Sequence, residues 1–111
     1  MTCIFCKIAN KEIPSSFVYE SEKVLAFNDL TPQAPVHVLV IPKAHCENAG
    51  ELAQADPLAL AELFTAAMQI AADRGLDGYR TAFNTGASAG QSVFHAHLHL
   101  LGGRPFAWPP G

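Results

Sequence analysis

Leu60, Leu63, Phe64, Ala67, Ile70 and Ala71 recur at steps of three and four residues. That spacing predicts one amphipathic helix with a single apolar stripe. Asp56 is placed to cap it, and Pro57 suits its first position. Arg74 falls in the last turn, and Gly75 ends it. A shorter helical turn is expected over residues 3–9, with Ile4, Phe5 and Ile8 on one side. The remaining apolar runs have strand character. They are 17–20 and 24–27, joined by the short turn 21–23, then the β-branched run 37–41, then 79–84 and 94–101. Two prolines make 29–35 a loop, and residues 85–92 form a loop of small residues. The tail from Gly102 to Gly111 is too rich in Pro and Gly to be regular, so Phe106 and Trp108 need a surface to pack on. The order of elements predicts an α+β fold, a five-stranded antiparallel sheet with one long helix and a short N-terminal one. With no repeat, linker or low-complexity tract, a single domain spans 1–111.

Composition narrows the function. Half of the 111 residues are hydrophobic, enough for a core. Seven Lys and Arg against ten Asp and Glu give a net charge of −3 with no basic run. That disfavours nucleic acid held by counterion release. Met1 to Lys7 does not read as a signal peptide, and Val36 to Ile41 is too short to cross a bilayer. No membrane partner is expected. Three cysteines, an odd number in a chain with a core, argue against a disulfide framework. A cytoplasmic location is the expectation.

The chemistry concentrates in His95-Ala96-His97-Leu98-His99. If 94–101 is a strand, the three histidines share one face, about 6.7 Å apart along it, and Phe94, Ala96, Leu98 and Leu100 share the core face. Three readings compete: a solvated polar face, a metal site, or a nucleophilic imidazole with orienting neighbours. Histidine is uncommon as surface filler. A nucleophilic ring needs one nitrogen unprotonated and the other held by an acceptor, often a backbone carbonyl. The loop just before the run points to phosphorus as the attacked atom. Gly86 and Gly90 let backbone N–H groups approach an anion, and Gln91 and Ser92 add donors. It is not a P-loop, because no Gly-Lys-Ser/Thr follows.

With these residues in view, the sequence resembles the histidine triad (HIT) family, and within it the nucleotide-binding branch that hydrolyses purine nucleoside phosphoramidates. The resemblance rests on His95-Ala96-His97-Leu98-His99-Leu100-Leu101, flanked by Gly90-Gln91-Ser92-Val93, Gly102-Gly103-Arg104 and Trp108-Pro109-Pro110-Gly111. Upstream, Asp29 to His37 and Val40 to His45 also resemble family segments, so the likeness covers essentially the whole chain. It implies that His97 attacks the α-phosphorus to form a nucleotidyl-histidine, which water resolves to a nucleoside monophosphate. His99 and His37 would handle charge and protons beside the phosphate. Ser92 and Gln91, with the backbone at Gly90, would bind the phosphate and leaving group, and Asn84 the same region. Asp29 would hold the ribose hydroxyls, and Ile4, Phe5, Ile8, Phe27 and Leu30 the base. The family fold pairs into a homodimer, and Trp108 would then reach the partner's site.

Cys3-x₂-Cys6 has the spacing of a zinc knuckle that needs two further ligands, for which His45 and His95 are the candidates. Some members of the superfamily resemble this arrangement. The expected zinc is structural, and no cofactor is needed for the chemistry. Cys46 is left out, because it would face away from His45. Without zinc, Cys3 and Cys6 are simply buried thiols. Three rivals remain at this level. One is a dinucleoside polyphosphate or adenylyl sulfate hydrolase on the same site. Another is a non-catalytic nucleotide-binding scaffold, and the third is a triad that holds a catalytic metal.

Overall fold

Alternation along β3 (Val36–Pro42) splits its residues between two apolar layers. Val38 and Val40 face one layer, and Leu39 and Ile41 the other. A strand covered on both faces belongs inside a sheet, and β3 is the central strand. The computed structural model describes residues 3–111. Its sheet runs in the order β1 (Phe17–Glu20), β2 (Val24–Asn28), β3, β5 (Leu98–Gly102), β4 (Tyr79–Ala82), with every neighbour antiparallel. The predicted α+β class and five-stranded antiparallel sheet are therefore observed.

One face of the sheet carries α3 (Pro57–Asp73), the long helix. Asp56 caps it through a carboxylate that accepts from Ala59 N–H at 3.1 Å, and Pro57 opens it. Gly75 follows with φ +67°, a left-handed turn that suits glycine. Ala59, Leu63, Ala66, Ala67, Ile70 and Ala71 bury against Val24, Val38, Val40, Leu98 and Leu100. Each large aliphatic side chain buried there contributes roughly 1.5–3 kcal/mol. The stripe is rotated from the expected one. Phe64 is exposed and Leu60 half-buried, and Ala59 and Ala66 take their places in the buried stripe. The other face carries α1 (Ile4–Ala9), which seats Phe5 and Ile8 on Leu25, Phe27, Leu39 and Ile41.

Two expectations are corrected. The last strand begins at Leu98, not Phe94, so only His99 of the triad is in a ladder. Ahead of it the backbone turns aside. Ala96 N–H donates to Cys46 O at 2.7 Å, and Phe94 lies exposed rather than in the core. Likewise the strand expected over 79–84 stops at Ala82. A further helix, α2 (Ala49–Ala55), was not expected. Its signal is present as Asn48-x-x-Glu51. Asn48 Oδ1 accepts from Glu51 N–H, and the Glu51 carboxylate reaches back to Glu47 N–H.

Candidate functional site

The α1 face of the sheet holds a cavity of about 280 Å³. Its apolar wall is Ile4, Phe5 and Ile8 from α1 with Phe27 and Leu39 from the sheet. Asp29, Leu30, Ser92, His97 and His99 complete its lining, and the Phe5 ring stands edge-on to His97 at 5.1 Å. The pleat puts His99 on this face, because Leu98 and Leu100 occupy the other. His37 sits beside it on β3, two residues from Leu39 and therefore also on this side of the sheet.

Hydrogen bonds assign the imidazole protons. His97 Nδ1 lies 2.8 Å from the His95 carbonyl, which can only accept, so Nδ1 carries the hydrogen. Nε2 of neutral His97 keeps a free lone pair. His37 Nδ1 accepts from Gln33 N–H at 3.0 Å, so His37 is protonated at Nε2. That hydrogen points to His99 Nδ1 at 2.9 Å, with Asp29 Oδ2 at 3.3 Å. His99 is then protonated at Nε2, a buried atom without a partner among the described residues. An unpaired buried N–H costs about 1–3 kcal/mol. An anionic ligand oxygen would remove that cost.

Burial, with the nearby His97 and His37, pushes His99 down to about 4, against the opposing pull of Asp29. Burial also lowers His37, again opposed by Asp29. Both rings are neutral near pH 7. From the ordinary value of 6.5 down to about 4, unfolded chain binds a proton at residue 99 that folded chain does not. Stability therefore falls on acidification through that window and is unaffected by His99 above it. Melting temperature against pH is expected to slope less in His99→Asn than in the wild type. Equal slopes would contradict a neutral His99.

The loop before the triad departs from expectation. Gln91 does not offer its side chain to a ligand. Its Nε2 donates to Glu47 O at 2.7 Å and Val93 O at 3.1 Å, and its Oε1 accepts from Gly86 N–H at 2.8 Å. The Gly90 and Gln91 N–H groups are also spent within the loop, on Ala87 O and Gly86 O. Gly86 and Gly90 serve the turn itself, at φ +90° and +97°. Asn84 sits beside Gly90 and does not line the cavity. Ser92 alone of the expected phosphate-loop residues does. Gln91→Ala strands three backbone groups and is expected to cost roughly 2–3 kcal/mol in denaturant unfolding. A loss under about 0.5 kcal/mol would show that the amide does not pin the loop.

Trp108 is 81% exposed and lies away from this cavity, over Gln33, Thr81 and Leu101 beside β4.

A second cluster lies behind the triad. The Sγ atoms of Cys3 and Cys6 and the Nδ1 atoms of His45 and His95 lie within 4.8 Å of one another. The two ring nitrogens are 3.3 Å apart, and the sulfur–nitrogen separations are 3.4, 3.4 and 3.5 Å. Tetrahedral bonds of about 2.3 Å to sulfur and 2.0 Å to nitrogen require edges of about 3.5 and 3.3 Å. His95 donates Nε2–H to Pro42 O at 2.8 Å, which frees Nδ1 as a ligand. Burial and the adjacent Cys3 push the Cys6 thiol up to about 11 in the absence of a cation. The donor set fits zinc. Cys46 is buried in the α3 core and takes no part. Asp29, His37 and His99 also cluster. There the proton held on His37 Nε2 by the Gln33 contact makes a hydrogen-bonded chain the better description than a ligand set.

A family model described as HIT domain matches residues 10–106. The chain belongs to the HIT domain family. Among solved structures, this HIT domain is similar to a HIT family hydrolase from Legionella pneumophila, with 47% identity and a TM-score of 0.94 over 99% of this chain and 100% of that one. A HIT family hydrolase from Clostridium thermocellum gives 46% and 0.91 over 96% and 94%. Among curated relatives, a 14 kDa zinc-binding protein of Zea mays is 54% identical over 112 residues, covering 97% of this chain and 87% of that protein.

Of the residues expected at the site of this HIT domain, the cavity gathers Ile4, Phe5, Ile8, Phe27, Asp29, Leu30, Ser92, His97 and His99, with His37 one hydrogen bond away. It does not gather Asn84, Gly90, Gln91 or Trp108. Sequence reasoning anticipated a backbone carbonyl behind the nucleophile but not that it is the carbonyl of His95, and it missed the Gln33 N–H. Both act through backbone atoms, which leave no mark in residue type.

Proposed function

We propose that this HIT domain is a nucleotide hydrolase that cleaves purine nucleoside 5′-phosphoramidates through a nucleotidyl-His97 intermediate. The observation that carries the reading is the His97 tautomer. Nδ1–H is committed to the His95 carbonyl, so Nε2 is the nucleophile, in a cavity that also has an apolar wall.

The slot between α1 and Phe27 takes the flat base, and the edge-on Phe5–Phe27 pair lines it. Asp29 accepts from the ribose hydroxyls. The α-phosphate then lies beside the histidines, where His99 Nε2–H meets an oxygen that gains charge in the transition state. As the bond from phosphorus to His97 Nε2 forms, the bond to the amine breaks. The amine leaves with one proton taken from a solvent water beside Ser92, and the hydroxide left behind is neutralised by bulk solvent. The ring becomes cationic, and its remaining N–H stays on the His95 carbonyl, which stabilises that charge. Water next attacks phosphorus and loses a proton. The bond to Nε2 breaks, and a nucleoside monophosphate and neutral His97 remain.

Cys3, Cys6, His45 and His95 would hold a structural zinc, which supplies cross-linking and no step of the reaction. Reduced thiolates suit the cytoplasm, and no helix is long and apolar enough to cross a membrane among the described residues. A homodimer would place exposed Trp108 against the partner's cavity.

Rapid quench with an adenosine phosphoramidate, followed by intact mass spectrometry, tests the intermediate. One adenylyl group mapping to His97 is expected. An adduct on another residue overturns the assignment. Product formed at the normal rate by His97→Ala overturns it equally.

A further inference from the structure

We propose that Cys3 and Cys6 are an oxidation site through which a peroxide ejects the metal and disables the nucleotide slot. The proposal rests on the zinc reading above.

The four metal donors come from three segments, and each segment also builds the catalytic cavity. Cys3 and Cys6 are the cap and first turn of α1, whose Ile4, Phe5 and Ile8 wall the slot. His95 presents its ring to the metal and its carbonyl to His97. His45 follows β3, where Pro42 O receives the other His95 nitrogen. α1 has only six residues. A helix that short is unstable by itself and depends on what anchors it. The metal would therefore latch one wall of the slot to the residue that aims the nucleophile.

The latch is open to small oxidants. Cys3 and His45 line a surface hollow of about 380 Å³ with Ser92 and Val93. Metal-bound cysteine is a thiolate, the form that attacks peroxide. Cys3 sulfur takes one oxygen from hydrogen peroxide and becomes a sulfenic acid, and the second peroxide oxygen leaves as water. Cys6 sulfur then attacks Cys3 sulfur and displaces that oxygen as a second water, forming the disulfide. Two thiolates lose two electrons, and one peroxide with two protons becomes two waters. A disulfide needs its sulfurs about 2.05 Å apart, whereas two zinc thiolates stand about 3.8 Å apart. The bonded sulfurs are also poor ligands. Two histidines alone do not hold zinc, so it leaves, and α1 and the His95 carbonyl lose their common anchor.

The experiment uses the full chain, first assayed for zinc by elemental analysis. Less than about one-tenth of a zinc per chain overturns the zinc reading itself, and this proposal with it. Zinc-loaded protein is then treated with hydrogen peroxide beside a chromogenic chelator. The expected result is one zinc released per chain, a mass lower by two hydrogens that maps to Cys3–Cys6, and AMP binding weakened by about tenfold or more. A dithiol reductant with added zinc restores binding. Cys46→Ser should respond as the wild type does. Retention of zinc and thiols in peroxide overturns the proposal. So does a Cys3–Cys6 disulfide that forms while AMP binding is unchanged, which leaves the zinc reading intact.

Discussion

His97→Ala is expected to lower phosphoramidate turnover by roughly 10⁴-fold or more, a magnitude typical of losing a covalent nucleophile. AMP affinity should change by less than about threefold, because the contacts that bind the nucleotide are elsewhere. The slot is walled by Ile4, Phe5, Ile8 and Phe27, and the unpaired His99 Nε2–H stays in place. Comparing single-turnover rates with AMP titration separates the two effects. The result also divides the rivals. A binding scaffold does not need a free Nε2 lone pair and would keep its function without His97. If His97→Ala turns over normally, the nucleotidyl-histidine mechanism is wrong.

The second large effect is on stability. His95→Ala is expected to lower the melting temperature by roughly 10–20 °C. His95 is fully buried, and its ring spans the Pro42 carbonyl and the proposed zinc donors Cys3, Cys6 and His45. Its loss leaves a cavity, an unpaired carbonyl and a broken ligand set. Together these cost about 3–5 kcal/mol. Each kcal/mol is worth about 4 °C in a chain of this size. Chelation of the wild type should reproduce part of the drop, and His95→Ala should not respond to a chelator. Calorimetry with and without chelator checks both. A variant that melts within about 3 °C of the wild type would mean that His95 anchors nothing.

Much of this was legible in the chain because it depends on neighbours. Asp56-Pro57 and the three-and-four spacing specify α3 by local hydrogen bonding and helical period. The alternation of Leu98 and Leu100 with His99 specifies which face of the last strand is core. The clustering of histidines marks the chemistry, because so many titratable rings are seldom placed together without use. Asn48-x-x-Glu51 was just as local a signal for α2, but a seven-residue helix that contains Gly50 carries little apolar periodicity to confirm it.

The tertiary structure decided what depends on contacts distant in sequence. A strand through Phe94 was consistent with alternation, but Cys46 O draws Ala96 N–H out of the ladder, 50 residues away in the chain. That turn sends His95 to the cysteines and His97 to the cavity, where a continuous strand would have kept them in line with His99. Gln91 reads as a ligand donor by type and is a loop brace by position, since Glu47, Val93 and Gly86 consume its amide. The sequence by itself determined the α+β class, the two helices with clear periodicity and the histidine cluster as the candidate site. Only the fold decided which nitrogen of each histidine is free, because a tautomer is set by the backbone groups that the fold brings against the ring.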